Sequence, residues 1–163
     1  MTLAEKLLSS LGEHRPTSPG RSTWSRTDAA SGWTVALTID KADALSCQLG
    51  EVALTRATPA NWDSAALKAK AEAVAAKVTG LMEPLRLIEL DGLRAEALLR
   101  STAPTARGEK RSHYELRLTA AGNATLTRFQ AGMDRTAKRE AVPFSLTHEV
   151  LSKFIDDVTD CLA

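Results

Sequence analysis

Cysteine, histidine and aromatic side chains are all scarce in this chain of 163 residues. Cys47 and Cys161 are the only cysteines, with no C-x-x-C pair and no repeated spacing. That excludes a zinc ribbon and a disulfide framework, and leaves two buried thiols of a reducing compartment as the expectation. The histidines are His14, His113 and His148. No two share a metal-ligand spacing and no H-E-x-x-H occurs, so no metal and no cofactor is expected. His148 reads as surface decoration in the first turn of a helix. Phosphate cradles of the form G-x-G-x-x-G or G-x-x-x-x-G-K-[ST] are missing, and so is a G-x-S-x-G nucleophile elbow. No catalytic residue is assigned.

Charge of one sign is missing too, since the net charge is +1. A balanced chain offers no global attraction for nucleic acid or an anionic membrane. No apolar run approaches the roughly 20 residues that span a bilayer, and the N-terminus lacks the pattern of a secretory signal. A cytoplasmic protein is the expectation. The distribution of charge is less even than its sum. From Arg100 to Arg139 there are nine bases against three acids, +6 net, whereas the tail after Arg139 has five acids against Lys153, −4 net. Neighbouring segments of opposite sign are expected mainly to screen each other. Arg107, Lys110, Arg111, Arg117 and Arg128 are nevertheless the candidate partner-facing basic residues. Nucleic acid is an unlikely partner for them, because only Tyr114 and Phe129 lie nearby to stack on bases.

What the sequence does have is alternation. In Lys110–Met133, Tyr114, Leu116, Leu118 and Ala120 alternate with His113, Glu115, Arg117 and Thr119, then Gly122-Asn123 offers a tight turn, and Ala124 and Leu126 resume the pattern. This predicts a hairpin with one buried face. Phe129 breaks the apolar phase, which predicts a bulge near Arg128, with Arg117 and Arg128 outward. His113 and Glu115 share the polar side, two residues apart, a pair able to transfer protons but equally at home on a wet sheet.

Earlier in the chain, Thr2 and Glu5 form a capping box for a short helix carrying Leu3, Leu7, Leu8 and Leu11 and closed by Gly12. His14–Ser22 reads as a loop. Trp24 marks a short strand. Trp33, Val35, Leu37 and Ile39 mark a second, and a turn is expected at Asp40–Asp43. Leu45, Cys47 and Leu49, then Val52 and Leu54, change phase at Gly50-Glu51, which predicts a bulged strand or two short ones. Thr58-Pro59 is expected to open a long helix through Leu67, Ala71, Val74, Val78 and Leu81, stopped by Pro84. Leu85–Leu90 and Arg94–Thr102 predict a second hairpin around Asp91-Gly92, and Ala103–Lys110 a mobile basic loop. Asp134–Pro143 is a charged connector. Ser145 or Thr147 would cap a last helix with Val150, Leu151, Phe154, Ile155, Val158 and Leu162 on its apolar face. Asp156, Asp157 and Asp160 near its C-terminal end are expected to face basic groups, Arg117 or Arg128 on the sheet.

Together these predict a single α+β domain over residues 1–163. It is a twisted antiparallel sheet of about five to seven strands, read from sequence pattern. A long central helix and a C-terminal helix cover one face, and a short helix stands at the N-terminus. The order of elements in Leu3–Leu11, Trp24–Thr55, Pro59–Met82, Leu85–Thr102 and Leu146–Leu162 resembles the type III secretion chaperones, with the hairpin at Lys110–Met133 as an addition. The resemblance implies a homodimer that holds an extended segment of another protein, and no binding residue is carried over from it. A non-enzymatic protein-binding or chaperone-like module is the leading expectation. A small enzyme or ligand-binding protein with a pocket between sheet and helices is the alternative, and weak nucleic-acid binding through residues 100–139 is a third.

Overall fold

A computed structural model describes residues 1–14, 20–81, 83–101, 105–132 and 138–163. Among the described residues, three α-helices and ten strands form an α+β fold with one antiparallel sheet. No helix among the described residues is long and apolar enough to cross a membrane.

The capping box forms as the sequence requires. Thr2 Oγ1 accepts from Glu5 N, and Glu5 Oε2 accepts from Thr2 N, opening α1 (Leu3–Leu8). The α-helix is shorter than Leu3–Leu11, because Leu11–Glu13 tightens into a 3-10 turn that contains Gly12. Leu7, Leu8 and Leu11 are all buried, which is what holds so short a helix in place.

β1 (Ser22–Asp28), β2 (Trp33–Ala42) and β3 (Ser46–Arg56) form a meander. The turn expected at Asp40–Asp43 lies later, since β2 runs on to Ala42. Asp43 Oδ1 accepts from Leu45 N and Ser46 N, both at 2.8 Å, and this fixes the turn there. Leu45 is therefore at the tip, 78% exposed, and not an inward strand position. The phase change does mark a bulge within one long strand. Thr38 faces Glu51 and Ile39 faces Leu49, leaving Gly50 unpaired between them. One extra residue shifts the alternation, so that Cys47 and Leu49 reach the same core as Val52 and Leu54.

α2 (Ser64–Lys77) starts well after Thr58. Ala60 N and Trp62 N donate to Ala121 O and Ala120 O, which keeps the chain extended against the turn of the long hairpin. Asp63 then becomes the cap, its Oδ1 accepting from Ala66 N at 2.8 Å. The helix also ends before Pro84 is reached. Val78 is extended, and Val78 and Leu81 are buried from a non-helical segment.

β4 (Leu85–Asp91) and β5 (Glu96–Ser101) make the second hairpin. Beyond them, β6 (Thr105–Arg107) pairs with the start of β7 (Lys110–Thr119), so part of the segment read as a mobile loop is strand. β7 pairs with β8 (Ala124–Gly132) in one unbroken register from Lys110↔Gly132 to Leu118↔Ala124. The bulge expected near Arg128 does not form. Phe129 keeps strict alternation and simply belongs to the outer face. β9 (Glu140–Ala141) pairs with β8 and β10 (Phe144–Thr147) with β3, both within stretches read as connector or cap. The expectations for Pro16, Pro19 and Asp134 lie outside the described residues.

The main sheet order is β1-β2-β3-β8-β7-β5-β4. Val35, Leu37, Leu49, Leu54, Leu99, Leu116, Leu118 and Leu126 on its inner face are completely buried. They join Leu7 of α1, Leu67, Ala71 and Val74 of α2, and Leu151, Ile155 and Val158 of α3 (His148–Leu162) in one hydrophobic core. Each such leucine contributes about 1.5–3 kcal/mol through burial. Thr147 caps α3 by accepting from Val150 N. The acids of α3 do not face sheet arginines. Asp156 Oδ1 accepts from Ala4 N at 2.9 Å, Asp157 pairs with Lys153 at 2.5 Å, and Asp160 pairs with Lys77 of α2 at 3.2 Å. Asp156 and Asp160 thus tie α3 to α1 and α2, while the Asp157 pair lies within α3 itself.

Candidate functional site

Register decides which side chains share the outer face. Thr34, Ala36 and Thr38 of β2 lie beside Thr55, Ala53 and Glu51 of β3. Ala53 is opposite Thr125 of β8, which is opposite Arg117 of β7, and so on through Thr127 with Glu115 and Phe129 with His113. Arg100 and Leu98 of β5, then Arg86 and Glu89 of β4, complete the row. Apart from Glu51, one half of the face is therefore small and neutral, and the other half carries the charges. A groove of about 190 Å³ lies where they meet, lined by Glu51, Leu98, Glu115, Arg117, Thr125, Thr127 and Phe129.

Glu115 is the buried centre of the charged half, with its side chain only 4% exposed. Its Oε1 accepts from Arg100 Nη2 at 3.2 Å, from His113 Nε2 at 3.1 Å and from Arg139 Nη1. These three contacts supply polar partners to a carboxylate that is otherwise shut off from water. The Arg139 guanidinium also stands 4.1 Å from the Phe129 ring centroid, and the His113 ring lies 6.1 Å from the same ring. Arg100 Nε is buried and has no hydrogen-bond partner among the described residues. The proximity of His113 and Glu115 that the alternation implied is real, but both groups are held by other contacts.

The candidate basic residues separate. Arg107, Lys110 and Arg111 are exposed around the β6–β7 turn, and Arg117 is half exposed beside Glu96 at 3.6 Å. Arg128 is a correction to the outward reading. It shares a phase with Ala124 and Leu126, so it points under the helices, where Nη2 and Nη1 donate to Glu83 at 2.8 and 3.3 Å. Its side chain is 11% exposed and lies 4.4 Å over the Tyr114 ring, whose hydroxyl burial pushes to a higher pKa than usual. The alternation of Tyr114 and the unbroken run through Leu126 would have signalled this position. Glu83 and Arg139 had no sequence signal, since neither belongs to a periodic segment.

His148 is also corrected. It is half-buried, with Nε2 3.6 Å from Cys47 Sγ. Burial raises the Cys47 thiol pKa, and the nearby Asp43 charge adds to the shift. A raised pKa keeps that sulfur protonated and a poor nucleophile. No three histidine, cysteine or carboxylate side chains among the described residues gather into a group able to hold a metal. Comparison with known proteins finds no matching family model, curated protein or solved structure.

Proposed function

We propose that the chain is a non-enzymatic, chaperone-like protein-binding module that receives another protein on its outer sheet face. The observation that carries this reading is the division of the molecule into two unlike faces. Helix and inner-strand side chains pack into one core, while the described helices leave the outer face bare. That face offers half-buried Phe129 and Leu98, a row of threonine and alanine, and flanking Arg111 and Arg117. A shallow apolar strip edged by cations suits an extended segment that carries carboxylates. The resemblance of the element order in the sequence to type III secretion chaperones, with the hairpin at Lys110–Met133 as an addition, supports the same reading.

Chemistry at Glu115 has weaker support. Oε1 of Glu115 is already taken up by Arg100, His113 and Arg139, so that oxygen is not open to a substrate.

The test uses a photo-reactive residue placed at Thr127, with Ser9 as the control position. In the native host, Thr127 should capture a discrete protein that Ser9 does not. A peptide copy of the captured segment should bind the purified chain and lose that binding with Thr127→Arg. A small molecule that co-purifies and is released by Thr127→Arg would overturn the reading in favour of ligand binding. Heparin retention that falls with salt and with Arg111→Ala and Arg117→Ala would overturn it in favour of nucleic acid.

A further inference from the structure

We infer that the outer face carries an oxyanion site, in which Arg86, Arg100 and Arg139 receive one carboxylate side chain of the bound segment. The inference deepens the outer-face reading and rests on it for the nature of the ligand. Strand order assembles the site. Arg100 of β5 stands opposite Glu115 of β7 on one side and opposite Arg86 of β4 on the other. Like charges directly across a strand pair repel, and Arg86 joins no ion pair among the described residues. From the opposite flank, Ala141 of β9 pairs with Phe129 of β8, and Arg139, two residues earlier, lies over that ring. Arg100 and Arg139 thereby meet at the oxygen of Glu115 that His113 also contacts.

The site holds more cation than anion. Three guanidiniums and an imidazole gather round one carboxylate, a surplus of two positive charges even with the imidazole neutral. Glu51 and Glu89 share the face but form no ion pair with these arginines. Donors exceed acceptors as well, because each guanidinium has five N–H groups. Arg100 places Nη2 on Glu115, while its Nε is buried without an acceptor among the described residues. Arg139 places Nη1 on the same oxygen. Buried donors are nearly always paired, so an incoming acceptor supplies what Glu115 alone does not. The Arg100 and Arg139 side chains are 40% and 45% exposed, which leaves both within reach from the outer face.

A carboxylate is the anion that fits. The guanidinium fork pairs with it through two parallel hydrogen bonds. Phosphate would bring nearly twice the charge up against Glu115. The strands here use their amides in the sheet ladder, so no backbone cradle stands ready to hold a phosphate. Nucleic acid would need open stacking rings, and Phe129 is already covered by Arg139. The adjoining groove runs from Glu115 past Thr127, Thr125 and Leu98, and the backbone that carries the carboxylate can lie along it.

The probes are a decapeptide of alternating threonine and glutamate, blocked at both ends, and its threonine–glutamine counterpart. Each is titrated to millimolar concentration into the full isotope-labelled chain while the arginine Nε–H resonances are followed by NMR. The glutamate peptide should move the Arg100 and Arg139 signals, less so at high salt, and the glutamine peptide should leave them in place. Arg86→Gln and Arg139→Gln should each weaken binding of the glutamate peptide by about threefold or more, with circular dichroism unchanged. If either variant loses the native spectrum, the wild-type titration decides alone. Signals that answer equally to both peptides, or to neither, would overturn the site. So would folded variants that bind the glutamate peptide as tightly as the wild type. Inorganic phosphate or a thymidine oligonucleotide that moves the same signals at lower concentration would overturn it in favour of that ligand. Capture at Thr127 tests the face separately. Capture without a glutamate response removes only this site, and a glutamate response without capture keeps the site and removes the outer-face reading.

Discussion

Arg128 and Glu83 form a two-pronged ion pair beneath the helices, at 2.8 and 3.3 Å, with side chains 11% and 4% exposed. The guanidinium is shared with the Tyr114 ring face, so three side chains fill one place on the inner side of the sheet. A buried pair of this kind costs little while it is whole and a great deal once halved, because the remaining charge loses its solvation and its partner together.

Glu83→Leu should therefore destabilise the protein by about 3–5 kcal/mol. Adding Arg128→Met to it should recover much of that loss, since no bare charge is then left. Urea unfolding of the two single variants and the double variant, read as a thermodynamic cycle, checks this. Strictly additive losses would show that the two residues do not act as a pair.

At Glu115 the expected costs are unequal. Glu115→Ala removes the shared partner of Arg100, Arg139 and His113 and should cost about 1–3 kcal/mol. Arg100→Ala or Arg139→Ala should cost about 1 kcal/mol or less, because each is half exposed and Glu115 keeps its other partners. Equal losses for all three variants in urea titrations would contradict the shared-acceptor geometry.

Acid should loosen the β1–β2–β3 meander. The Ser31 hydroxyl and backbone hold the Asp28 carboxyl below its ordinary 3.8, and the Leu45 and Ser46 amides do the same for Asp43. Arg21 lowers Asp40 through its hydrogen bond. A carboxyl whose folded pKa is depressed stabilises the fold fully above its unfolded pKa, and that contribution is lost as pH falls below 3.8 towards the folded value. Asp43→Asn keeps an oxygen acceptor in the turn but does not titrate. Its urea midpoint should fall less steeply than that of the wild type between pH 5 and pH 2.5. Parallel curves would mean that the turn carboxylate carries no pH-dependent stability.

Gly122 and Gly50 should respond differently to alanine. Gly122 has φ +89, and an added Cβ would come within 2.8 Å of Arg56 Cδ, so Gly122→Ala should cost about 1–2 kcal/mol or more. At Gly50 the φ is not left-handed, and the nearest atoms belong to the exposed guanidinium end of the long Arg21 side chain. Gly50→Ala should stay within about 1 kcal/mol of the wild type. Thermal melts of the two variants check the order, and the reverse order would contradict the turn geometry.

By itself the sequence determined the local terms. Alternation placed inner residues of β2, β3, β7 and β8, the phase slip located Gly50, and Thr2 with Glu5, and Thr147 as one of two candidates, marked the helix caps, because each depends on neighbours a few residues apart. Only the tertiary structure decided what depends on distant neighbours. The backbone of Ala120 and Ala121 moved the start of α2 to Asp63, and Glu83 supplied the buried partner of Arg128. Arg139 closed over Glu115, and Lys77 took up Asp160. In each case a backbone group or a charge needed a partner, and the packing of strands and helices, not chain spacing, brought that partner within reach.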